Sequence, residues 1–125
     1  MIAGIGVDIV NISRIKDAIE RWGKGFLDRV FTQEEQHYSE QFTNPYKHYA
    51  ARFAAKEAFI KAFSNNGIWF NEITVSNNRT GKPELYVSER IKQMLKEEEI
   101  TEILVSMSHE KEYAVAQVIL VRGRD

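Results

Sequence analysis

The stretch Arg52-Phe53-Ala54-Ala55-Lys56-Glu57-Ala58-Phe59-Ile60-Lys61-Ala62 decides how the rest of this chain is read. It is rich in alanine and holds neither glycine nor proline, so it is a strong helix former. On a helical wheel Phe53, Phe59, Ile60 and Phe63 spread around most of the circumference, and Ala54, Ala55, Ala58 and Ala62 fill the rest. A helix that is apolar nearly all round is normally buried. This one also carries Arg52, Lys56, Glu57 and Lys61. Charges inside a protein must be paired, hydrogen-bonded or bound to a metal or ligand, so the helix is expected to hold a site. The plainer alternative is that Glu57 and Lys61, one turn apart with the acid first, pair only with each other.

Working outward, Ile2 to Val10 reads as a strand with Ala3, Ile5, Val7 and Ile9 on one face and Gly4, Gly6 and Asp8 on the other. Ser13 is a candidate cap for a first helix with the apolar stripe Ile12, Ile15, Ile19 and Trp22, ended by Gly23 and Gly25. Thr32-Gln33-Glu34-Glu35 is a capping-box pattern opening a short helix towards Glu40. Asn44-Pro45 starts the long central helix, which runs to about Ser64–Gly67. Strands follow at Glu72–Ser76 and Glu84–Val87, around a turn at Asn77–Gly81. Ser88 caps a helix to about Glu98, and Glu102–Ser108 and Tyr113–Val121 form a closing antiparallel hairpin. The last three or four residues are expected to be loose. The order β-α-α-α-β-β-α-β-β indicates a single α+β domain over residues 1–125, with a mainly antiparallel sheet and one long buried central helix.

Composition narrows the function. The chain has 125 residues, 43% hydrophobic and 28% charged, which suits one globular domain. A net charge of −1 gives no broad basic surface for nucleic acid. The absence of cysteine removes disulfides, thiolate metal sites and a cysteine nucleophile, and suits a reducing compartment. No apolar stretch approaches the roughly 20 residues that span a bilayer, and no signal-peptide pattern opens the chain. A cytoplasmic protein with no membrane or nucleic-acid partner is expected.

Asp8 is unusual because aspartate is depleted in strands and because glycines precede it on its own face. Glycine there clears space for a ligand or a second backbone; a cap or turn role at the strand end is the alternative. Asp8 and Glu57 together could supply hard oxygen ligands to Mg²⁺, with Lys61, Lys56 and Arg52 available for phosphates. His109 falls at a strand end, where an exposed turn histidine is ordinary. Arg14 and Arg21, seven apart, share a helix face with Lys24 and Arg29 just beyond. That is either a solvated face or a basic patch for an acidic protein partner.

Gly4-Ile5-Gly6-Val7-Asp8, Arg14-Ile15, Phe31-Thr32-Gln33-Glu34-Glu35, the 52–62 run, Gly81-Lys82-Pro83 and Ser106-Met107-Ser108-His109 through Ala116 occur in order. Together they closely resemble the small bacterial holo-acyl-carrier-protein synthase family of 4′-phosphopantetheinyl transferases. The resemblance implies Mg²⁺-dependent transfer of 4′-phosphopantetheine from coenzyme A to a serine hydroxyl of apo-acyl carrier protein, releasing adenosine 3′,5′-bisphosphate, in support of fatty acid biosynthesis. It implies Asp8 and Glu57 as metal ligands and Lys61 as a phosphate ligand beside them. Arg52, Lys61, Gly81, Lys82, Pro83 and His109 would line the coenzyme A site. Either Glu57 or a water held by Asp8 would take the serine proton. Arg14, Arg21, Lys24 and Arg29 would dock the carrier protein, and a homotrimer with active sites between subunits is implied. Two stretches depart from the family pattern: Asn11 stands where an acid is usual, and the loop Ser64–Trp69 is shorter and poorer in glycine. A non-catalytic module binding coenzyme A or a carrier protein is the alternative, but it would need no metal-holding acids.

Overall fold

The computed structural model describes residues 1–123, so Arg124 and Asp125, within the chain end expected to be loose, lie outside it. The elements are β1 (Ile2–Asn11), α1 (Ile12–Val30), α2 (Gln33–Glu40), α3 (Tyr46–Phe63), a 3-10 turn at Phe70–Glu72, β2 (Ile73–Asn77), β3 (Pro83–Val87), α4 (Glu89–Glu97), β4 (Ile100–His109) and β5 (Tyr113–Arg122). The expected α+β order is thus observed. All strand pairing is antiparallel, in a three-stranded sheet β1-β5-β4 and a separate hairpin β2-β3.

Helix α3 lies across the three-stranded sheet and is buried along most of its length, with Ala50, Ala54, Ala55, Ala58 and Phe59 fully covered. Small residues let the two layers approach. Ala114 and Ala116 of β5 face the core with Val118 and Leu120. On β1 a Cβ at Gly4 would stand 2.1 Å from the carbonyl oxygen of Ala62, and one at Gly6 would stand 2.0 Å from that of Ala58. The glycines therefore admit a second backbone, one of the two uses read from the sequence. The contact puts Asp8, next on the same face, against the last turns of α3.

The opposite face of the sheet is apolar yet uncovered within the chain. Ile5, Val7 and Ile9 of β1 are 59%, 55% and 65% exposed, beside Val115 and Tyr113 of β5 and Leu104 of β4. Antiparallel sheets with one solvated face normally make that face polar, and a contiguous apolar patch marks an interaction surface. No described helix is long and apolar enough to cross a membrane.

Three local expectations are corrected. The first helix does not stop at Gly23: it kinks there (φ 60°, ψ −139°) and resumes to Val30, because Phe26, Leu27 and Val30 still have a core to pack against. Its cap is Asn11 rather than Ser13, with the Asn11 side chain accepting from the Ser13 amide at 2.9 Å. Trp22, assigned to the apolar stripe, is 63% exposed, since the kink ends the stripe one residue later.

Candidate active site

The tight β1–α3 contact assembles the site. Asp8 and Glu57 line one groove of about 440 Å³ with Asn11, Arg14, Phe26 and Phe53. Asp8 is half-buried on β1, and Glu57 is half-buried on α3. Burial first, then the charge of Asp8, raises the Glu57 carboxyl above its ordinary value, with Lys61 opposing. The simple helix pair between Glu57 and Lys61 does not form. Lys61 Nζ instead donates to Asp8 Oδ1 at 2.9 Å and to the Val7 carbonyl at 3.2 Å, bridging α3 to β1. About half of its side chain remains exposed, so its charge can still be reached from solvent.

Asp8 and Glu57 thus bring two carboxylates into one groove, with Lys61 bonded to Asp8 and Arg14 also in the lining. A divalent cation fits that donor set, because Mg²⁺ takes one or two carboxylates and leaves its other positions to water and phosphate oxygens. An all-protein metal cage is a different arrangement, and no group of three or more His, Asp or Glu residues able to hold a metal occurs among the described residues.

Arg52 is on another face. Five residues from Glu57, it projects about 140° around the helix axis from it. Its guanidinium donates to Asn77 Oδ1 at 2.6 Å and lies over the Tyr38 ring at 4.2 Å. Asn77 Nδ2 in turn donates to the Gly81 carbonyl at 2.9 Å, which ties Arg52 to the Gly81-Lys82-Pro83 turn. That turn is shaped by Gly81 at φ 87° and by the Asn78 side chain, which accepts from the amides of Thr80 and Lys82. His109 sits edge-on to His48 at 5.9 Å, and His48 stacks on Phe42 at 3.8 Å. Burial, then the positive Arg52 and His109, hold His48 down to about 4. The sequence-predicted residues thus fall into two groups within one chain: Asp8, Glu57 and Lys61 in the first, Arg52, Gly81, Lys82, Pro83 and His109 in the second. Asn77 and His48 were missed, and nothing in their local sequence marks them.

Lys56 is a correction. Instead of being available to phosphates, it is wholly buried and paired with Glu35 at 2.5 Å. Arg14 lines the carboxylate groove and, like Arg21, is exposed on the first half of α1. Lys24 and Arg29 lie beyond the kink, so they do not continue the same stripe. Lys24 is moreover engaged by Asp28 at 2.9 Å.

Comparison with known proteins agrees on one family. Residues 4–118 match the model of the 4′-phosphopantetheinyl transferase superfamily. A holo-[acyl-carrier-protein] synthase from Thermodesulfovibrio yellowstonii is 46% identical over 121 residues, covering 96% of this chain and 99% of the relative. The crystal structure of the corresponding synthase from Neisseria meningitidis superposes with a TM-score of 0.89 at 36% identity, covering 98% of this chain and all of that one. The Bacillus anthracis synthase, solved in complex with CoA (3′,5′-ADP), gives 0.81 at 34% identity, covering 98% and 99%.

Proposed function

Because the chain belongs to the 4′-phosphopantetheinyl transferase superfamily, we propose that it is a holo-[acyl-carrier-protein] synthase that moves 4′-phosphopantetheine from coenzyme A to a serine hydroxyl of an apo-acyl carrier protein. The observation that carries this is the convergence of Asp8, Glu57 and Lys61 on the β1–α3 seam. In the reaction the serine oxygen bonds to the phosphorus that bears pantetheine. The bond from that phosphorus to the bridging oxygen breaks, the serine proton passes to a base, and adenosine 3′,5′-bisphosphate leaves. Positioning and electrostatic stabilisation supply most of the catalysis in phosphoryl transfer.

Asp8 and Glu57 would hold Mg²⁺, which would supply positive charge to the pyrophosphate oxygens. Lys61, swinging from Asp8, would add a second cation on the phosphates. The serine proton would pass to Glu57 or to a water held by Asp8. Release of adenosine 3′,5′-bisphosphate that requires apo-carrier protein and stops with EDTA is the expected result. Release without carrier protein would mean hydrolysis instead of transfer. Fatty acid synthesis is the proposed setting and the cytoplasm the proposed location.

Two features support sites between subunits of a homotrimer. The carboxylate group and the Arg52–Gly81 group face different ways from one chain, and the outer sheet face is apolar. His109 borders that face, lining a groove with Ile9, Tyr113 and Val115. The second group would then serve coenzyme A bound at a neighbour's carboxylates. Sedimentation equilibrium should give three chain masses; a monomer would remove this arrangement.

The carrier protein would dock on the first half of α1, where Arg14 and Arg21 are exposed beside Trp22. Arg14→Glu should raise the KM for carrier protein at least about tenfold through lost steering and new repulsion, and by more than it raises the KM for coenzyme A. Equal losses for both substrates would contradict docking on this face.

A further inference from the structure

Glu35 and Lys56 form the one ion pair among the described residues with both side chains fully buried. Every polar position of the pair is used. The ammonium donates to Glu35 Oε1 at 2.5 Å, to the Val30 carbonyl at 2.7 Å and to the Phe70 carbonyl at 3.1 Å. The carboxylate also accepts from the Thr32 amide at 2.9 Å and the Val75 amide at 2.7 Å. One knot therefore ties α3 to the end of α1, the start of α2, the Phe70–Glu72 turn and β2.

We propose that this pair is a positioning element for the transfer reaction, fixing the rotation of α3 about its axis and so the placement of Glu57 opposite Asp8. The inference rests on the functional reading above. An amphipathic helix takes its rotation from its apolar stripe. Helix α3 is apolar nearly all round, so hydrophobic burial hardly selects one rotation over another. Directional contacts select it instead: the glycine seam at Ala58 and Ala62, the bonds of Tyr49 to Glu40, Arg52 to Asn77 and Lys61 to Asp8, and the Lys56 knot, which is fully buried and stands one residue before Glu57. A buried ion pair adds little net stability because desolvation offsets its attraction. Fixing a conformation is the role it performs here.

Glu35→Asp keeps the charge but withdraws the carboxylate by one methylene, so Thr32, Val75 and Lys56 cannot all be reached. The variant should retain near-native circular dichroism. Mn²⁺ binding, followed by electron paramagnetic resonance, should weaken by roughly tenfold to a hundredfold, the usual effect of disturbing residues that orient a metal ligand. The kcat should fall by up to about a hundredfold, as for a displacement of about 1 Å at a reacting centre, while both KM values stay near wild type. Lys56→Met, measured well below its melting temperature, should show the same split. Native Mn²⁺ affinity and native kcat per folded molecule in these variants would overturn the proposal, as would activity that falls only with the folded fraction. Wild-type protein that binds Mn²⁺ but transfers nothing would end the functional reading and leave the Mn²⁺ comparison to decide the positioning role.

Discussion

Glu57→Gln and Asp8→Asn are each expected to lower transfer at least about a thousandfold, the upper range for removing one preorganised electrostatic contact from a reacting site. Their effect on folding should be small and opposite in sign. Asp8 meets Lys61 in a pair whose lysine is half exposed, and such pairs contribute only about 0–1 kcal/mol. In EDTA-treated protein, Glu57 holds its proton more tightly folded than unfolded, because of burial and the neighbouring Asp8 charge. A raised carboxyl favours the fold below its ordinary value near 4.5, and that contribution is lost as pH rises through the folded value. At neutral pH the ionised Glu57 therefore works against folding, and Glu57→Gln in EDTA should melt at the same temperature as wild type or higher. Retained activity, or a large drop in melting temperature, would contradict the assignment of these carboxylates to function over stability.

Gly6→Ala should damage both fold and site. The added Cβ would meet the Ala58 carbonyl oxygen at 2.0 Å and the Ala62 amide nitrogen at 2.7 Å. Both are backbone atoms, so no side chain can turn away and β1 must lift from α3. Overpacking typically costs about 1–3 kcal/mol and occasionally more, and a rigid contact belongs at the upper end. A loss of roughly 10 °C in melting temperature follows for a chain of this size. Activity should fall beyond the folded fraction, because Asp8 moves with β1 and a shift of about 1 Å can cost about a hundredfold. Gly25→Ala is the control: a Cβ there meets nothing within 4 Å, and alanine in a helix should be neutral or stabilising by up to about 1 kcal/mol. Similar melting curves for Gly6→Ala and wild type would mean that the seam is looser than its geometry.

The central helix and the β1 glycine face were legible because both signals are local. Alanine density marks a helix buried on all sides, and glycines alternating ahead of Asp8 mark a close approach. That the approaching group is the α3 backbone follows from the fold alone, since residues 6 and 58 share no local pattern. The same limit hid the partner of Lys56. Glu35 was readable as a capping-box residue, and it does accept from the Thr32 amide, but nothing near it in sequence announces Lys56 or Val75. The Glu57–Lys61 spacing allows a helical pair, yet Lys61 turns across the seam to Asp8 and the Val7 carbonyl, which no local pattern announces. In the first helix, Gly23 was read as a stop and Trp22 as core. Apolar residues beyond the glycine restart the helix, and the kink carries Trp22 out to solvent beside Arg21, 5.3 Å from its ring.

The intact mass of an apo-acyl carrier protein, taken after incubation with this protein, coenzyme A and Mg²⁺, with and without EDTA, reads the transfer itself. A gain of one phosphopantetheine, abolished by EDTA and by Glu57→Gln, is the predicted result. An unchanged mass, with a carrier protein that another phosphopantetheinyl transferase converts, would contradict the account and leave a module that binds without turnover.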